Sequence, residues 1–326
     1  MIRRDFITLL GGAAAAWPLA ARAQQSGKLP TIGFLGESTP SGQRQWAAAF
    51  VQRLRELGWI EGRNVTIEYR WAEGRNERFA ELVAELVRLN VDAIVTQGTP
   101  SVLAAKQATS VIPIVFAIAG NPVANGLVAS LAQPGGNVTG LTNQTADLAG
   151  KRLELLRDVV PDLRHLAIMA NVDNPSVVLD ISEVQAAARG LGVEVATSEI
   201  RRAEDIAPAI DAVRGKVEAL YVAGDPLVTT NRTRIAILAV GAQLPSMYGN
   251  QENVEAGGLV SYGPNLPDLH RRAANHVDKI FRGTKPSDIP VEQPTKFDLV
   301  INLITARALR ISISPGLLAR ADEVIE

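Results

Sequence analysis

The sequence predicts an α/β protein of two Rossmann-like lobes, each built on a parallel sheet and joined by a three-segment hinge. Three observations carry that expectation. From Thr31 onward, short β-rich apolar runs alternate with longer patterns of helical period, which is the signature of parallel strands covered by helices on both faces. The alternation starts afresh near Val138, after the turn sequence Gln133-Pro134-Gly135-Gly136. About 300 residues behind the N-terminal segment also exceed what one hydrophobic core usually organises.

The first series opens with an apolar run at Thr31–Gly36. Trp46, Phe50, Leu54 and Leu57 follow at helical spacing and stop at Gly58. Val65–Arg70 alternates as a strand, and Phe79, Leu82, Val83, Leu86 and Val87 form a helical stripe. Asp92–Thr96, a helix after Thr99 and Ile112–Phe116 complete the unit. The second series places a helix on Leu153, Leu156 and Val159. It continues through strand His165–Met169, helix Val177–Arg189, strand Val193–Thr197, helix Ile206–Val213, strand Glu218–Val222 and helix Leu227–Val240. The tail, from strand Gly258–Tyr262 and helix Leu266–Phe281 through a Pro-containing crossing at Asp288–Gln293, strand Lys296–Ile301 and helix Asn302–Leu309, reads as pieces returned to each lobe. The expected division is therefore 29–138 with 250–284 for the N-terminal lobe, and 139–249 with 285–326 for the C-terminal lobe. A chain that crosses three times makes a hinge, and a hinge makes a closable cleft.

Ahead of the lobes, residues 1–23 have the order of an export signal. Arg3-Arg4 precede a weakly apolar run from Thr8 to Ala16, and Ala21-Arg22-Ala23 places small residues where a signal peptidase cuts. The paired arginines point to the twin-arginine route. The apolar run is shorter than the ~20 residues a bilayer span needs, so a signal peptide with a periplasmic mature chain is expected rather than an anchor. Cysteine is absent from the whole sequence, which removes disulfides, thiolate metal sites, cysteine nucleophiles and a lipidated cysteine. Loss of Arg3, Arg4, Arg22 and Asp5 moves the formal charge from −1 to −3. Basic and acidic residues are mixed throughout, so no nucleic-acid footprint is expected.

The familiar catalytic patterns are also absent. Gly150-Lys151 is followed by Arg152, which rules out a P-loop, and Gly33-Phe34-Leu35-Gly36 lacks the dinucleotide fingerprint. There is no G-x-S-x-G elbow. The three histidines, His165, His270 and His276, form no ligand set. No cofactor and no metal are expected, and the chain reads as a non-enzyme.

What recurs is a polar residue followed by proline near strand ends: Thr39-Pro40, Thr99-Pro100, Asn121-Pro122, Asn174-Pro175 and Asp225-Pro226. The polar residue suits a helix N-cap and proline suits the first helical position. Helix N-termini at the carboxyl edge of a parallel sheet offer free N–H groups and a positive dipole end, and open α/β sheets bind small ligands at that edge. Thr99 and Ser101 are expected to meet a ligand carboxylate and Asp225 an ammonium. Ser38, Asn121 and Asn171 also stand near strand ends, while Phe116, Tyr248 and Tyr262 are candidates to stack on a side chain.

Several segments then carry a family likeness: Ile32-Gly33-Phe34-Leu35, Gln97-Gly98-Thr99-Pro100-Ser101, Pro113-Ile114-Val115-Phe116 with Asn121-Pro122-Val123, Gly136-Asn137-Val138-Thr139-Gly140, and Ala256-Gly257-Gly258-Leu259-Val260-Ser261-Tyr262-Gly263. Together they resemble the ABC transporter substrate-binding family that includes tryptophan- and tyrosine-type binders, on the periplasmic-binding-protein type I fold. The resemblance implies a monomeric extracytoplasmic receptor. It would close on a small solute and hand it to an ABC permease and its ATPase. Where this chain has Asn121-Pro122 the family commonly has Asp-Pro, so one carboxylate is missing. A ligand sensor for a membrane receptor and an enzyme on a two-lobed scaffold are the alternatives.

Overall fold

The computed structural model describes residues 28–326, so the expected signal at 1–23 lies outside the described residues. In chain order the first lobe holds β1 (Thr31–Gly36), α1 (Arg44–Glu56), β2 (Thr66–Trp71), α2 (Phe79–Arg88), β3 (Ala93–Gln97), α3 (Thr99–Ala108), β4 (Ile114–Ala119) and β5 (Val138–Thr142). The second lobe follows with α4 (Ala149–Val159), β6 (His165–Asn171), α5 (Pro175–Gly190), β7 (Glu194–Ile200), α6 (Ile206–Val213), β8 (Ala219–Val222), α7 (Pro226–Thr230), α8 (Arg232–Gly241), β9 (Ser246–Tyr248), α9 (Gln251–Glu255) and β10 (Val260–Pro264). Helix α10 (Leu266–Phe281) returns to the first lobe, and β11 (Phe297–Asn302), α11 (Leu303–Ala308), α12 (Pro315–Leu318) and β12 (Glu323–Ile325) finish the second.

The two sheets have strand orders β2-β1-β3-β4-β5 and β12-β11-β10-β9-β8-β6-β7. All pairings are parallel except β10 with β11. Each central strand is buried on both faces and feeds two cores by its two-residue alternation. In β1, Ile32 and Phe34 join Trp46, Phe50, Leu269 and Ala273 beneath α1 and α10, while Leu35 joins Phe79, Val83 and Leu86 under α2. In β6, Leu166 and Ile168 pack with Leu153 and Val184, whereas Ala167 and Met169 pack with Ile206 and Ile235. Both sheets are thus three-layered, as the pattern of apolar runs predicts.

The sheets divide the chain somewhat differently from the expected boundaries. Val138 pairs with Ile114 and Thr139 with Val115, so this strand closes the first sheet instead of opening the second. Strand β10, expected in the first lobe, pairs with β9 and β11 in the second. Residues 289–292 stay with the first lobe: Thr139 Oγ1 donates to the Ile289 carbonyl (2.7 Å), and Glu292 exchanges backbone bonds with Gly140 and Thr142. An apolar alternation says that a strand is buried but not in which sheet. Three crossings remain, near 143–148, 264–266 and 293–297. Arg152 ties two of them, since its Nε donates to the Tyr262 carbonyl (2.7 Å) and its Nη1 to that of Thr145 (3.3 Å).

Local chemistry explains the other differences. The expected helix Leu227–Val240 is broken at Asn231, where Thr230 Oγ1 donates to Pro226 O and Asn231 Nδ2 to Leu227 O (both 2.9 Å); such side chains compete with the helical ladder. Strands β9 and β12 have three residues each, too short for a period to register.

Gly140 is a tight point of the first sheet. Its φ is +154°, and a Cβ there would lie 2.1 Å from the Phe116 carbonyl oxygen. Gly140→Ala should therefore lower unfolding stability by ~1–3 kcal/mol, measured by urea titration.

Candidate ligand site between the lobes

The carboxyl ends of the parallel strands converge on one space between the lobes. From the first lobe, Glu37 follows β1, Gln97 and Gly98 end β3, Gly120 follows β4 and Asn143 follows β5. From the second, Asn174 and Ser176 stand at the start of α5, Asp225 and Thr229 at α7, and Gly249 and Asn250 after β9. Trp46 of α1 and Leu266 of α10 supply part of the apolar wall. The enclosed volume is about 60 Å³, several times the ~10–15 Å³ a single water requires.

Direct contacts cross the seam. Ser38 Oγ meets Thr230 Oγ1 at 3.0 Å, Arg232 Nη2 donates to the Gly42 carbonyl at 3.4 Å, and Trp46 Nε1 donates to Glu252 Oε1 at 2.5 Å. Gly120 faces Ser176 so closely that a Cβ on it would lie 1.8 Å from Ser176 Oγ and 3.1 Å from Ser176 Cβ. Trp46 is 2% exposed and stacks on His270, with centroids 5.5 Å apart. The His270 ring nitrogens are taken by the Leu266 carbonyl and the Gln97 side chain. Burial lowers its pKa to about 4, so the ring is neutral.

Two helices of useful length point their N-termini at the space. At α5, Asn174 is the N-cap and accepts from Ser176 N (3.1 Å), with Pro175 in the first helical turn, as expected from Asn-Pro-Ser. At α3 the cap is Gly98, with φ +80°, and Thr99 is already the first helical residue. The sequence expectation of a threonine cap there is corrected: the backbone leaves β3 through a left-handed residue, a conformation glycine takes without steric cost. Thr39-Pro40 and Asn121-Pro122 begin no helix at all; both lie in turns.

Of the nine expected site residues, Thr99 and Asp225 line the space. Asp225 is also occupied structurally: its carboxylate caps α7 through Leu227 N (2.8 Å) and accepts from Asn171 Nδ2 (3.0 Å) and Asn174 Nδ2 (2.8 Å). Asn171 thus acts behind Asp225. Ser101 is turned inward, hydrogen bonded to the Gln97 and Gly98 carbonyls and to Thr96 Oγ1. Ser38 belongs to the seam. Phe116 and Tyr248 are core residues, and Tyr262 packs on Phe297. Asn121, with φ +42°, borders a groove on the outside with Gln144 and Gln293. The stacking aromatics expected from the sequence are absent from the wall because strand aromatics point into the sheet cores. Trp46, which the sequence places on the apolar stripe of the first helix, is the aromatic residue lining the space.

Glu37 is the residue that sequence reading missed. It stands one position past β1, is 7% exposed, and faces Asp225 across the seam. Burial, then the Asp225 charge, push its pKa up to about 8, against smaller opposite effects of Gln97 and Thr229. The signal that locates it is the strand-end rule itself applied to β1. A raised carboxyl pKa favours the folded form below about 4.5 and loses that contribution as pH rises to about 8. The melting temperature of Glu37→Gln minus that of the ligand-free wild type should therefore grow across this window, as differential scanning fluorimetry would show.

Comparison with known proteins agrees with this architecture. A crystal structure of a conserved domain protein from Vibrio cholerae superposes with TM-score 0.87 at 26% identity, covering 91% of this chain and all of the other. An ABC domain from Streptococcus pneumonia in complex with L-Trp gives 0.86 at 25% identity, with the same coverage. The ligand-free, open structure of a Clostridium difficile substrate-binding protein gives only 0.66 at 26% identity, over 91% and 99% of the two chains. At nearly equal identity and coverage, that contrast matches lobes arranged as in the tryptophan-bound relative. A tyrosine-binding protein of Clostridioides difficile is 27% identical over 260 residues, 80% of this chain and 75% of that one. The family model described as ABC transporter substrate binding protein matches residues 41–325, and the chain belongs to that family.

Proposed function

We propose that this protein captures a small carboxylate-bearing solute, an amino acid or a close relative, and delivers it from the periplasm to an ABC permease and its ATPase. The observation that carries this reading is the closed space whose wall is drawn from both lobes at their strand ends. The amino-acid ligands of two relatives, tryptophan and tyrosine, support the solute class. The export signal expected at 1–23 supports the compartment, and no helix among the described residues is long and apolar enough to cross a membrane.

In this reading the carboxylate of the solute lies against the N-terminus of α3 with Thr99, facing Ser176 and Asn143. Free N–H groups and hydroxyls hold an anion there without a buried cation. Trp46, Ile118, Pro226 and Leu266 receive the apolar part. The solute binds one lobe and recruits the other, so its affinity for the closed form sets the open–closed balance.

The test is thermal unfolding of the chain from Gln24 against amino acids and small carboxylates. A true solute at 100 times its Kd stabilises by ~2.7 kcal/mol; no saturable shift with any amino acid contradicts the reading. With that solute, Thr99→Val should weaken binding by ~1–3 kcal/mol by calorimetry. Gly120→Val, which places methyl groups where Ser176 must sit, should abolish detectable binding while leaving the melting temperature of the free protein nearly unchanged.

A further inference from the structure

The space between the lobes has an unbalanced charge. Its wall contains two carboxyl groups, Glu37 and Asp225, and no lysine, arginine or histidine. The two carboxyls are not equivalent. Asp225 is saturated by Asn171, Asn174 and the Leu227 amide. The Glu37 side chain, more than nine-tenths buried, has the neutral Gln97 and Thr229 side chains as its hydrogen-bond partners and no ion pair among the described residues. The groups around it are Gln97 and Thr229, which favour its ionised form, and Asp225, which opposes it; His270, behind Gln97, is neutral. A buried carboxylate with no cation beside it is costly unless something outside the protein supplies one.

We propose that Glu37 is the receptor for a cationic amine on the ligand, and that this amine, lying between Glu37 of one lobe and Asp225 of the other, bridges the lobes. The inference rests on the reading that this space holds the solute, and it deepens that reading by naming the charge that selects it. The geometry gives the amine a second task. Across the seam the Asp225 carboxyl opposes ionisation of Glu37, adding to the effect of burial on its pKa. A cation between them turns that opposition into attraction, so closure and selection are one event. Asp225, expected from the sequence to hold the ammonium, becomes the second wall of the amine pocket, kept in place by its asparagines. Gly98 contributes by what it lacks: a Cβ there would lie 2.7 Å from Glu37 Oε2.

The experiment uses matched probes on the chain from Gln24, followed by calorimetry and thermal unfolding: L-tryptophan with 3-indolepropionate, L-tyrosine with 3-(4-hydroxyphenyl)propionate, glycine with acetate, and tryptamine and ethylamine as amines without a carboxylate. At least one amine-bearing probe should bind the wild type and exceed its partner lacking the amine by more than about tenfold. Glu37→Gln, which keeps the shape and removes the charge, should weaken the amine-bearing probe by a similar factor without weakening the partner. The wild-type pairs test the same point without any variant. Failure of every amine to bind, equal binding within a pair, or unchanged amine affinity in Glu37→Gln overturns the proposal. Binding of tryptamine or ethylamine through Glu37, with no amino acid bound, supports the amine receptor and overturns amino-acid capture. Tight binding of an amino acid that ignores Glu37→Gln does the reverse.

Discussion

The structure depends on a polar seam that exists only when two independent lobes meet. Neither lobe needs the other for its core: each sheet buries its own strands between its own helices. What the lobes share includes a hydroxyl pair, the Arg232 guanidinium on the Gly42 carbonyl, a carboxyl pair without a cation and one indole–carboxylate bond, Trp46 to Glu252. Such contacts contribute little net free energy when water can replace them, so the closed arrangement is held weakly by the protein alone. The close approach of Gly120 to Ser176 shows that shape, too, is matched to closure.

The hinge follows from chain topology. Three connections pass between the lobes, and Arg152, 1% exposed, fastens the carbonyls of Thr145 and Tyr262 at two of them while bonding the Tyr221 hydroxyl (2.9 Å) within the second lobe. Gly249 and Gly263 leave room for its guanidinium; a Cβ at either would come within 3.0 to 3.3 Å of Nη2. Two of the three connections are thereby anchored to the second lobe.

Most of the fold was legible because its strands are apolar on both faces and its helices carry clear stripes. Phe79–Arg88 and Leu266–Phe281 lie almost where their periodicity places them. The sheet membership of β5 and β10 was not legible, because pairing partners are remote in sequence and an apolar run fits either sheet. The site was legible as a place more than as a set of residues. Strand ends and Asn-Pro or Asp-Pro starts led to Thr99, Asn174 and Asp225. They also led to Ser101 and Asn171, which satisfy neighbours instead of facing the gap. Glu37 escaped notice because the strand-end rule marks the place after β1 but not which polar residue there faces the space; burial opposite Asp225 singles it out. The aromatic candidates failed for a simpler reason, since Phe116 and Tyr248 lie on strands whose faces are both covered.

The central claim, that the lobes close over a solute at this seam, can be tested directly because the chain has no native cysteine. Spin labels at Gln45→Cys on α1 and Ile237→Cys on α8, both exposed, report the distance across the cleft by pulsed electron resonance. The account predicts a broad or long distribution without solute that collapses to one short distance when the stabilising amino acid is added. An unchanged distribution with bound solute would contradict it.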